Sequence, residues 1–319
     1  MTRRNPYELI GTLNSFEVTS AKDLMDQAGL NWKVSLNDVY ASGSYDPILI
    51  EDRYATVRKD SSGLESVLSV VGTRYKVFQN EEIFSSLDSV VGAGDARYGA
   101  AGELKGGKIV WTLLELPDNV SIGDDKHSAY LLARTSHDGS TPFQLTPIVN
   151  RISCTNQINA CMVQGQNKNL YYSVRHSTGN DINVIDIKNT FNIIRKDMQE
   201  YVRISSWLRG QEFSNEEFFN FTKRVFALPT KIEFAADEFL SAGEKRAKTR
   251  ALLNRSNAVK VWLGDTETQD NIKNTKFGAF QAIVEVSDHM QRSSIKQAEK
   301  IVLGTDITLK SRAFELLGV

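Results

Sequence analysis

Cysteine is almost absent from this chain of 319 residues, which contains only Cys154 and Cys161. Two thiols are too few for a disulfide framework or, without other ligands, for a structural zinc site. They are seven positions apart, about 10 Å if the segment between them is helical, which is too far for a disulfide. We interpret both as buried or half-buried thiols in a reducing compartment.

Long apolar runs are also missing. No stretch approaches the roughly 18 consecutive apolar residues of a membrane span. The basic N-terminal residues are not followed by the apolar run of an export signal, because Glu8, Asn14 and Glu17 interrupt it. We therefore expect a cytoplasmic protein that has no membrane partner.

An excess of one charge is absent as well. Lys and Arg number 38, Asp and Glu number 39, and the formal net charge is -1. This balance excludes a field of the whole chain that attracts nucleic acid or anionic lipid. The apolar fraction of 41% and the charged fraction of 24% exclude collagen, coiled coil and wholesale disorder. The length is ample for a sizeable core.

The signatures of common cofactor and metal sites are not found. The four histidines are far apart, and neither His-Glu-x-x-His nor Cys-x-x-Cys occurs, so we expect no metal site. The glycine-rich segment Gly102–Lys108 is followed by Ile109 and a predicted strand, whereas a P-loop requires Ser or Thr and a helix. No dinucleotide fingerprint or nucleophile elbow is present, so we expect no cofactor.

The chain divides into three consecutive segments with different residue patterns. Residues 1–30 are polar and contain one predicted helix, Ala21–Ala28. Residues 31–185 are rich in predicted strands. Residues 186–319 have helical periodicity. We therefore predict an α+β fold, in which an N-terminal β-rich module of antiparallel hairpins packs against a C-terminal α-rich module.

Local signals place several elements. The pattern at Tyr54–Val71 predicts a hairpin, and Ile109–Leu116 is the strongest predicted strand. Asn80 is a candidate N-cap, and Ser214 to Glu217 is a capping box. We expect a short helix at Asn156–Val163.

His137 and Asp138 are the most enzyme-like pair of residues. An imidazole titrates near neutral pH, and a carboxylate can orient it as an acid or base. The alternative is a turn, because the pair lies in a glycine-containing segment where Asp bonds to its own backbone. We favour the turn.

Local basic charge is a better guide to nucleic acid than the net charge. Residues 241–260 hold six cations against one acid, and we select Lys245, Arg246 and Lys248 as a phosphate-contacting group. The alternative is an ordinary solvated helix face.

A second basic group lies on or beside predicted strands. Basic and aromatic residues on a sheet suit unstacked single strands, because cations pair with phosphates and rings stack on bases. The alternative is that the rings belong to the core, and we expect this of Trp111. The selected cations are Lys105, Lys108, Arg134, Arg151 and Arg175.

Several short segments, each unspecific alone, form a specific ordered set. They are Gly29–Val34, Tyr54–Arg58, Val71–Tyr75 with Gln79–Glu81, Ala101–Lys108 with Trp111, Ser136–Ser140, Arg151–Asn156 and Arg175–Ser177. In this order they resemble a phage- and plasmid-associated family that carries the domain of unknown function numbered 932. The resemblance implies a protein of mobile elements without an assigned activity. It also directs attention to His137–Gly139 and Arg151–Asn156.

Three functional hypotheses follow. The first is an oligomeric nucleic-acid-binding protein that binds or anneals single-stranded DNA in recombination or replication. This requires the turn at 105–108, Arg151 and the helix around 245–248 to converge in one groove. Its link to single-strand annealing proteins rests on fold-level analogy.

The second hypothesis is a hydrolase in which His137 and Asp138 act as acid and base and Arg151 holds an anion. The third is a non-enzymatic assembly or host-interaction protein whose sheet edges pair between subunits. We favour the first, and therefore binding rather than catalysis.

Overall fold

The computed structural model describes residues 6–13, 18–117, 120–152, 156–159, 172–264, 267–290, 294–304 and 307–318. Cys154 and Cys161, and with them our interpretation of the two thiols, lie outside these residues.

The strands form two antiparallel sheets. The strands are β1 Thr12–Leu13, β2 Lys33–Ala41, β3 Ile48–Lys59, β4 Glu65–Gly72, β5 Arg97–Leu104, β6 Ile109–Glu115, β7 Val120–Ile122, β8 Asp125–Ser136, β9 Phe143–Arg151, β10 Gln157–Asn159 and β11 Ser173–Val174. The larger sheet has the strand order β1-β5-β6-β8-β9-β10, with β7 paired to β8 and β11 paired to β9. The smaller sheet has the order β2-β3-β4.

Most of the helices follow the strands in the chain. Helical 3-10 turns occur at Pro6–Leu9, Asp237–Phe239 and Glu267–Ile272. None of the described helices has both the length and the apolar composition needed to cross a bilayer. The α-helices are α1 Ala21–Ala28, α2 Asn80–Val91, α3 Val184–Arg209, α4 Asn215–Val225, α5 Thr230–Glu233, α6 Ala242–Leu263, α7 Lys276–His289, α8 Ser294–Leu303 and α9 Ile307–Glu315.

This architecture confirms the predicted α+β class. The last described strand ends at Val174, and α3 begins at Val184. The change from strands to helices therefore lies close to the predicted position. The division into three domains at residues 30 and 185 stays a prediction.

Both faces of the larger sheet are covered, which explains the almost continuous apolar sequence of β6. Val110 and Leu114 belong to the main core, which also contains residues of α1, α2, α3 and α7. Trp111 and Leu113 point to the other face, where a smaller core includes Tyr7 and residues of α8. Trp111 is buried, as predicted.

The smaller sheet is joined to the larger one by a half-buried polar contact. Arg58 of β3 donates to Glu103 of β5 at 2.8 Å and lies over the Trp32 ring at 4.5 Å. The Trp32 indole donates to the same carboxylate at 3.1 Å. Gly107 has a φ of 89°, and a Cβ there would come within 3.2 Å of Trp32. The turn after β5 therefore needs glycine at this position.

Predictions that rest on short-range signals are confirmed. Helix α1 has the predicted bounds, with Ser20 as its N-cap and Gly29 in the left-handed region at its end. The hairpin at Tyr54–Val71 is β3–β4. Ser214 and Glu217 form a full capping box at the start of α4.

Two local predictions are wrong. Gln79, not Asn80, is the N-cap of α2. Asn80 is buried, and its amide donates to Leu30 O at 2.9 Å, so a tertiary contact takes the side chain that would have capped the helix. The helix predicted at Asn156–Val163 is replaced at 157–159 by β10, which pairs with β9, whereas 160–163 lie outside the described residues.

Candidate functional site

A groove with a volume of about 610 Å³ lies between β3 and two loops. Three arginines from separate parts of the chain line it: Arg53 from β3, Arg74 from the loop after β4 and Arg175 from the loop after β11. All three residues are exposed. We call this feature the arginine groove and define it by these three residues.

An irregularity in β3 brings Arg53 to the groove. Asp38 pairs with Tyr54, whereas Tyr40 pairs with Leu49, so β3 advances five residues while β2 advances two. Asp52 is one of the extra residues of β3 between the two pairs. Its φ of 60° lies in the left-handed region, which Asp tolerates better than most residues. The chain turns there, and Arg53 faces Gly72 of β4 in the register.

Backbone hydrogen bonds join the two loops that carry the other arginines. Thr178 N donates to Arg74 O at 3.0 Å, and Lys76 N donates to His176 O at 3.3 Å. The Asn180 amide also donates to Arg175 O at 3.0 Å. The loops are thus braced against each other, which keeps Arg74 and Arg175 in neighbouring positions.

The rings of Tyr75 and His176 stack beside the groove at 5.2 Å, with 9° between their planes. The Tyr75 hydroxyl donates to Ser136 O at 2.9 Å. His176 Nδ1 lies 3.0 Å from Lys76 O, a pure acceptor, so Nδ1 carries the proton and Nε2 accepts from the Thr135 hydroxyl at 2.8 Å. Burial lowers the pKa of His176, which keeps the ring neutral.

The charge of the groove therefore comes from its arginines. Asp52 is the one acid among the lining residues. The Arg53 guanidinium donates to Asp52 O, a backbone carbonyl, at 2.8 Å. Within the described residues, Arg74 and Arg175 have no ion-pair partner. Arginine stays protonated at any pH at which the protein is folded.

The turn between β5 and β6 lies at the same end of the larger sheet. Lys108 O accepts from His137 N at 2.8 Å, and Gly139 lies within van der Waals reach of Tyr75. Burial raises the pKa of Asp138, but hydrogen bonds from Ser140 and the charge of Lys105 outweigh it and lower the pKa overall. Lys105, Lys108 and Arg175, three cations selected from the sequence, thus lie at one end of the sheet.

Comparison with known proteins gives one match. The family model described as "Domain of unknown function (DUF932)" matches residues 67–311, more than half of the chain. The chain belongs to the DUF932 family. No curated protein and no solved structure matches. The DUF932 match includes Arg74 and Arg175, whereas Arg53 precedes it.

The DUF932 chain uses Arg151 inside the protein. Arg151 has no exposed surface. Its Nε donates to both carboxylate oxygens of Asp125 at 2.7 and 2.9 Å. The other nitrogens donate to Thr268 O and to Asn271 Oδ1, both near the start of α7. Arg151 is therefore a bridge between the larger sheet and the 3-10 turn before α7, and its side chain has no surface open to a phosphate.

Arg151 also lies at the opposite end of the larger sheet from the groove. It pairs with His127 of β8, whereas Ile109, which follows the 105–108 turn, pairs with Ser136. Nine residues of extended strand separate these positions, about 30 Å. The sequence-based hypothesis of one groove shared by Arg151 and the 105–108 turn is wrong for this reason.

His137 and Asp138 do not form an acid–base pair. His137 is fully buried, and its Nε2 donates to Asn80 Oδ1 at 2.9 Å. Burial lowers the pKa of His137 to about 3, so the ring is neutral. Asp138 accepts from Ser140 N at 2.9 Å, which is the turn that the sequence favoured. The imidazole is enclosed and has no access to a substrate.

The remaining selected cations lie elsewhere. Arg134 donates to Gln144 and to Val302 O in the last turn of α8, which covers this face of the sheet. Lys245 and Arg246 are exposed on α6. Lys248 is tied to Ala235 O at 2.7 Å and to Asp237 at 3.3 Å. Helix α6 packs on α4, α5 and α7.

Sequence reasoning missed Arg53 and Arg74. Arg74 lies in the Gly72–Tyr75 segment that breaks the pattern after β4, and this segment could have been selected as a loop with a cation. Arg53 carries no such signal, because its position depends on the irregular register of β3. Among the described residues, no group of His, Cys, Asp and Glu side chains is arranged to hold a metal ion.

Proposed function

We propose that this DUF932 protein binds single-stranded nucleic acid through the arginine groove. The observation that carries the proposal is the convergence of Arg53, Arg74 and Arg175 on one groove with a single acid. Guanidinium groups bind phosphate oxygens with two parallel hydrogen bonds, and such charge-assisted bonds are stronger than neutral ones.

Local charge is sufficient for this role even though the chain has a net charge of -1. At physiological ionic strength the screening length is about 8 Å, so a phosphate in the groove interacts mainly with the nearest charges. Lys105, at the same end of the sheet, extends the positive region.

A single strand fits the groove better than a duplex. The volume of about 610 Å³ lies in the range of sites that enclose small ligands, so the groove can hold a few nucleotides but no double helix. Tyr75, stacked on His176, offers a ring beside the arginines, and bases of single strands stack on such rings.

The biological setting that we propose is recombination or replication of a phage or another mobile element. The support is the resemblance of the ordered sequence segments, together with a groove suited to single strands. We also propose that the protein acts as an oligomer.

Fluorescence anisotropy with a labelled oligothymidine at low and at moderate salt tests the function. We expect binding that weakens as salt rises, because phosphate contacts release counterions. In the double variant Arg74→Glu with Arg175→Glu, we expect the slope of log affinity against log salt to fall by about 0.7 for each lost phosphate contact.

Arg224→Glu is the matched control, since Arg224 is an exposed arginine of α4, away from the groove. This variant should bind like the wild type. Absence of binding at low salt, or equal losses in the groove and control variants, would reject the proposal.

A further inference from the structure

A long hairpin extends from the smaller sheet and is exposed along its length. Residues 36–52, which we call the acidic arm, comprise the outer part of β2, the connecting turn and the first part of β3. Each of these residues is exposed or half-buried. From Ile48 to Asp52, β3 pairs with β2 alone, since β4 joins the sheet only at Arg53.

The acidic arm combines apolar side chains with charge of one sign. Tyr45 at the turn is 99% exposed, Ile48 is 60% exposed and Tyr40 is 56% exposed. The arm contains four acids and no lysine or arginine. Within the described residues, none of these acids has an ion-pair partner. The acids are Asp38, Asp46, Glu51 and Asp52.

An exposed apolar hairpin of two strands is marginally stable in water. Contiguous apolar surface of this kind is typical of an interaction site. Acidic charge makes the arm a poor match for nucleic acid or for an anionic lipid surface. The partner of the arm must therefore present apolar and basic groups together.

Helix α6 of the same protein presents such a surface. Residues 245–263 contain six cations and no acid. Arg246, Arg250 and Leu253 follow one another at spacings of four and three, so they share one helix face. Lys245 is adjacent, and all four residues are exposed. Within the described residues, these three cations have no ion-pair partner.

Two exposed phenylalanines lie beside α6. Phe234 is 82% exposed and Phe239 is 79% exposed. Lys248 holds their segment against the helix through Ala235 O and Asp237, and Arg255 does so through Glu233 at 2.6 Å. Lys248 and Arg255 lie on the side of α6 opposite to Arg246 and Arg250, so the phenylalanines flank a different side of the helix. We call the surface defined by Lys245, Arg246, Arg250 and Leu253 the basic face.

We infer that the acidic arm of one copy of this protein docks on the basic face of a second copy. Both surfaces are open to solvent in the same chain, so each needs a partner from outside it. The acids of the arm and the cations of the face have opposite charge, and exposed apolar side chains accompany both sets: Tyr40 and Ile48 on the arm and Leu253 on the face. Docking removes both apolar surfaces from water and pairs both sets of charges.

The paired strands of the arm are short enough to lie along the basic face. Residues 38–41 and 48–51 span about 10 Å at the rise of an extended strand, and the turn that carries Tyr45 lies beyond them. From Ala242 to Leu253 the helix is about 17 Å long.

The contact is heterologous, because the arm and the face are different parts of the molecule. Such an interface leaves one free arm and one free face after each addition, so it builds a closed ring or an open filament. This arrangement would supply the oligomer of the proposed function through a contact that does not use Arg53, Arg74 or Arg175.

Light scattering after size exclusion, without nucleic acid, tests the docking. The arm variant carries Asp38→Lys, Asp46→Lys and Glu51→Lys, and the face variant carries Lys245→Glu, Arg246→Glu and Arg250→Glu. We expect the wild type to form assemblies larger than a dimer at high concentration. Each variant alone should be a monomer.

Mixing the two variants gives the decisive result. The arm variant retains an intact face and the face variant retains an intact arm, and neither intact surface can pair with a reversed one. One contact of native composition therefore remains, and a second arises between the reversed arm and the reversed face. A mixture should thus recover assembly, and a chain that carries both sets of reversals should assemble alone. This recovery also shows that the variants are folded.

A wild type that stays monomeric at every concentration overturns the docking. So do single variants that assemble like the wild type, or a mixture that stays monomeric. If the wild type is monomeric and the face variant no longer binds oligothymidine, α6 is a nucleic-acid-binding surface and not a docking surface. Because Arg74→Glu with Arg175→Glu should assemble normally, failure of the docking and failure of nucleic-acid binding are distinguishable.

Discussion

The two ends of the larger sheet use arginine in opposite ways. At one end Arg53, Arg74 and Arg175 are exposed around a groove. At the other end Arg151 is buried, and Asp125, Thr268 and Asn271 accept from its donors. The same type of side chain is open to solvent in one place and a buried bridge in the other, and the difference is set by what covers each end.

The largest expected effect is the loss of stability on removing Arg151. Arg151→Ala leaves the carboxylate of Asp125 buried without its ion-pair partner, which costs about 3–5 kcal/mol of unfolding free energy. Arg175→Ala, at the exposed end, should change the unfolding free energy by less than about 0.5 kcal/mol. Denaturant unfolding at neutral pH measures both. Equal losses of unfolding free energy in the two variants would contradict the different roles assigned to Arg151 and Arg175.

Acid should destabilise both ends through their buried histidines. Burial lowers the pKa of His137 to about 3 and that of His127, beside Arg151, to about 4. Since the unfolded chain binds these protons near pH 6.5 and the folded chain does not, stability is full above that pH and falls below it. Between pH 7 and pH 5, His137 alone should account for about 2 kcal/mol.

Urea unfolding at the two pH values measures this loss, with His137→Gln as the test variant. The variant should lose less stability on acidification than the wild type does. If the variant loses as much stability on acidification as the wild type does, proton uptake by His137 on unfolding is not the cause of the loss.

The smallest expected effect repeats the comparison on one helix. Lys248 donates to Ala235 O and pairs with Asp237, whereas Lys245 is exposed without such contacts. Lys248→Ala should therefore cost about 1 kcal/mol of unfolding free energy, and Lys245→Ala close to none. Thermal unfolding of dilute protein compares the two, and a larger loss for Lys245→Ala would contradict the assignment.

The sequence predicts what depends on neighbours along the chain. The order of strands and helices, the hairpin β3–β4 and the Ser214 capping box follow from periodicity and from residues three or four positions apart. Asn80 has a good capping composition but is bound to Leu30 and His137, which are distant in sequence. A local rule cannot include that competition.

The candidate site depends on contacts that the sequence does not display. Arg151 and Arg175 are both cations beside strands, and only the tertiary packing shows that one is enclosed and the other open. The groove is formed by the segments that carry Arg53, Arg74 and Arg175, and the last of these is about a hundred residues from the other two along the chain. Lys105, Lys108 and Arg175 were selected for their charge, and the folded chain brings them to the same end of the sheet.

The left-handed residue Asp52 lies where the acidic arm leaves the body of the protein, and Arg53 follows it directly. One peptide unit thus belongs to both the arm and the groove. In the docking that we propose, a neighbour that holds the arm and fixes its direction would also fix where Arg53 points, so each of the two proposed contacts would bias the geometry of the other.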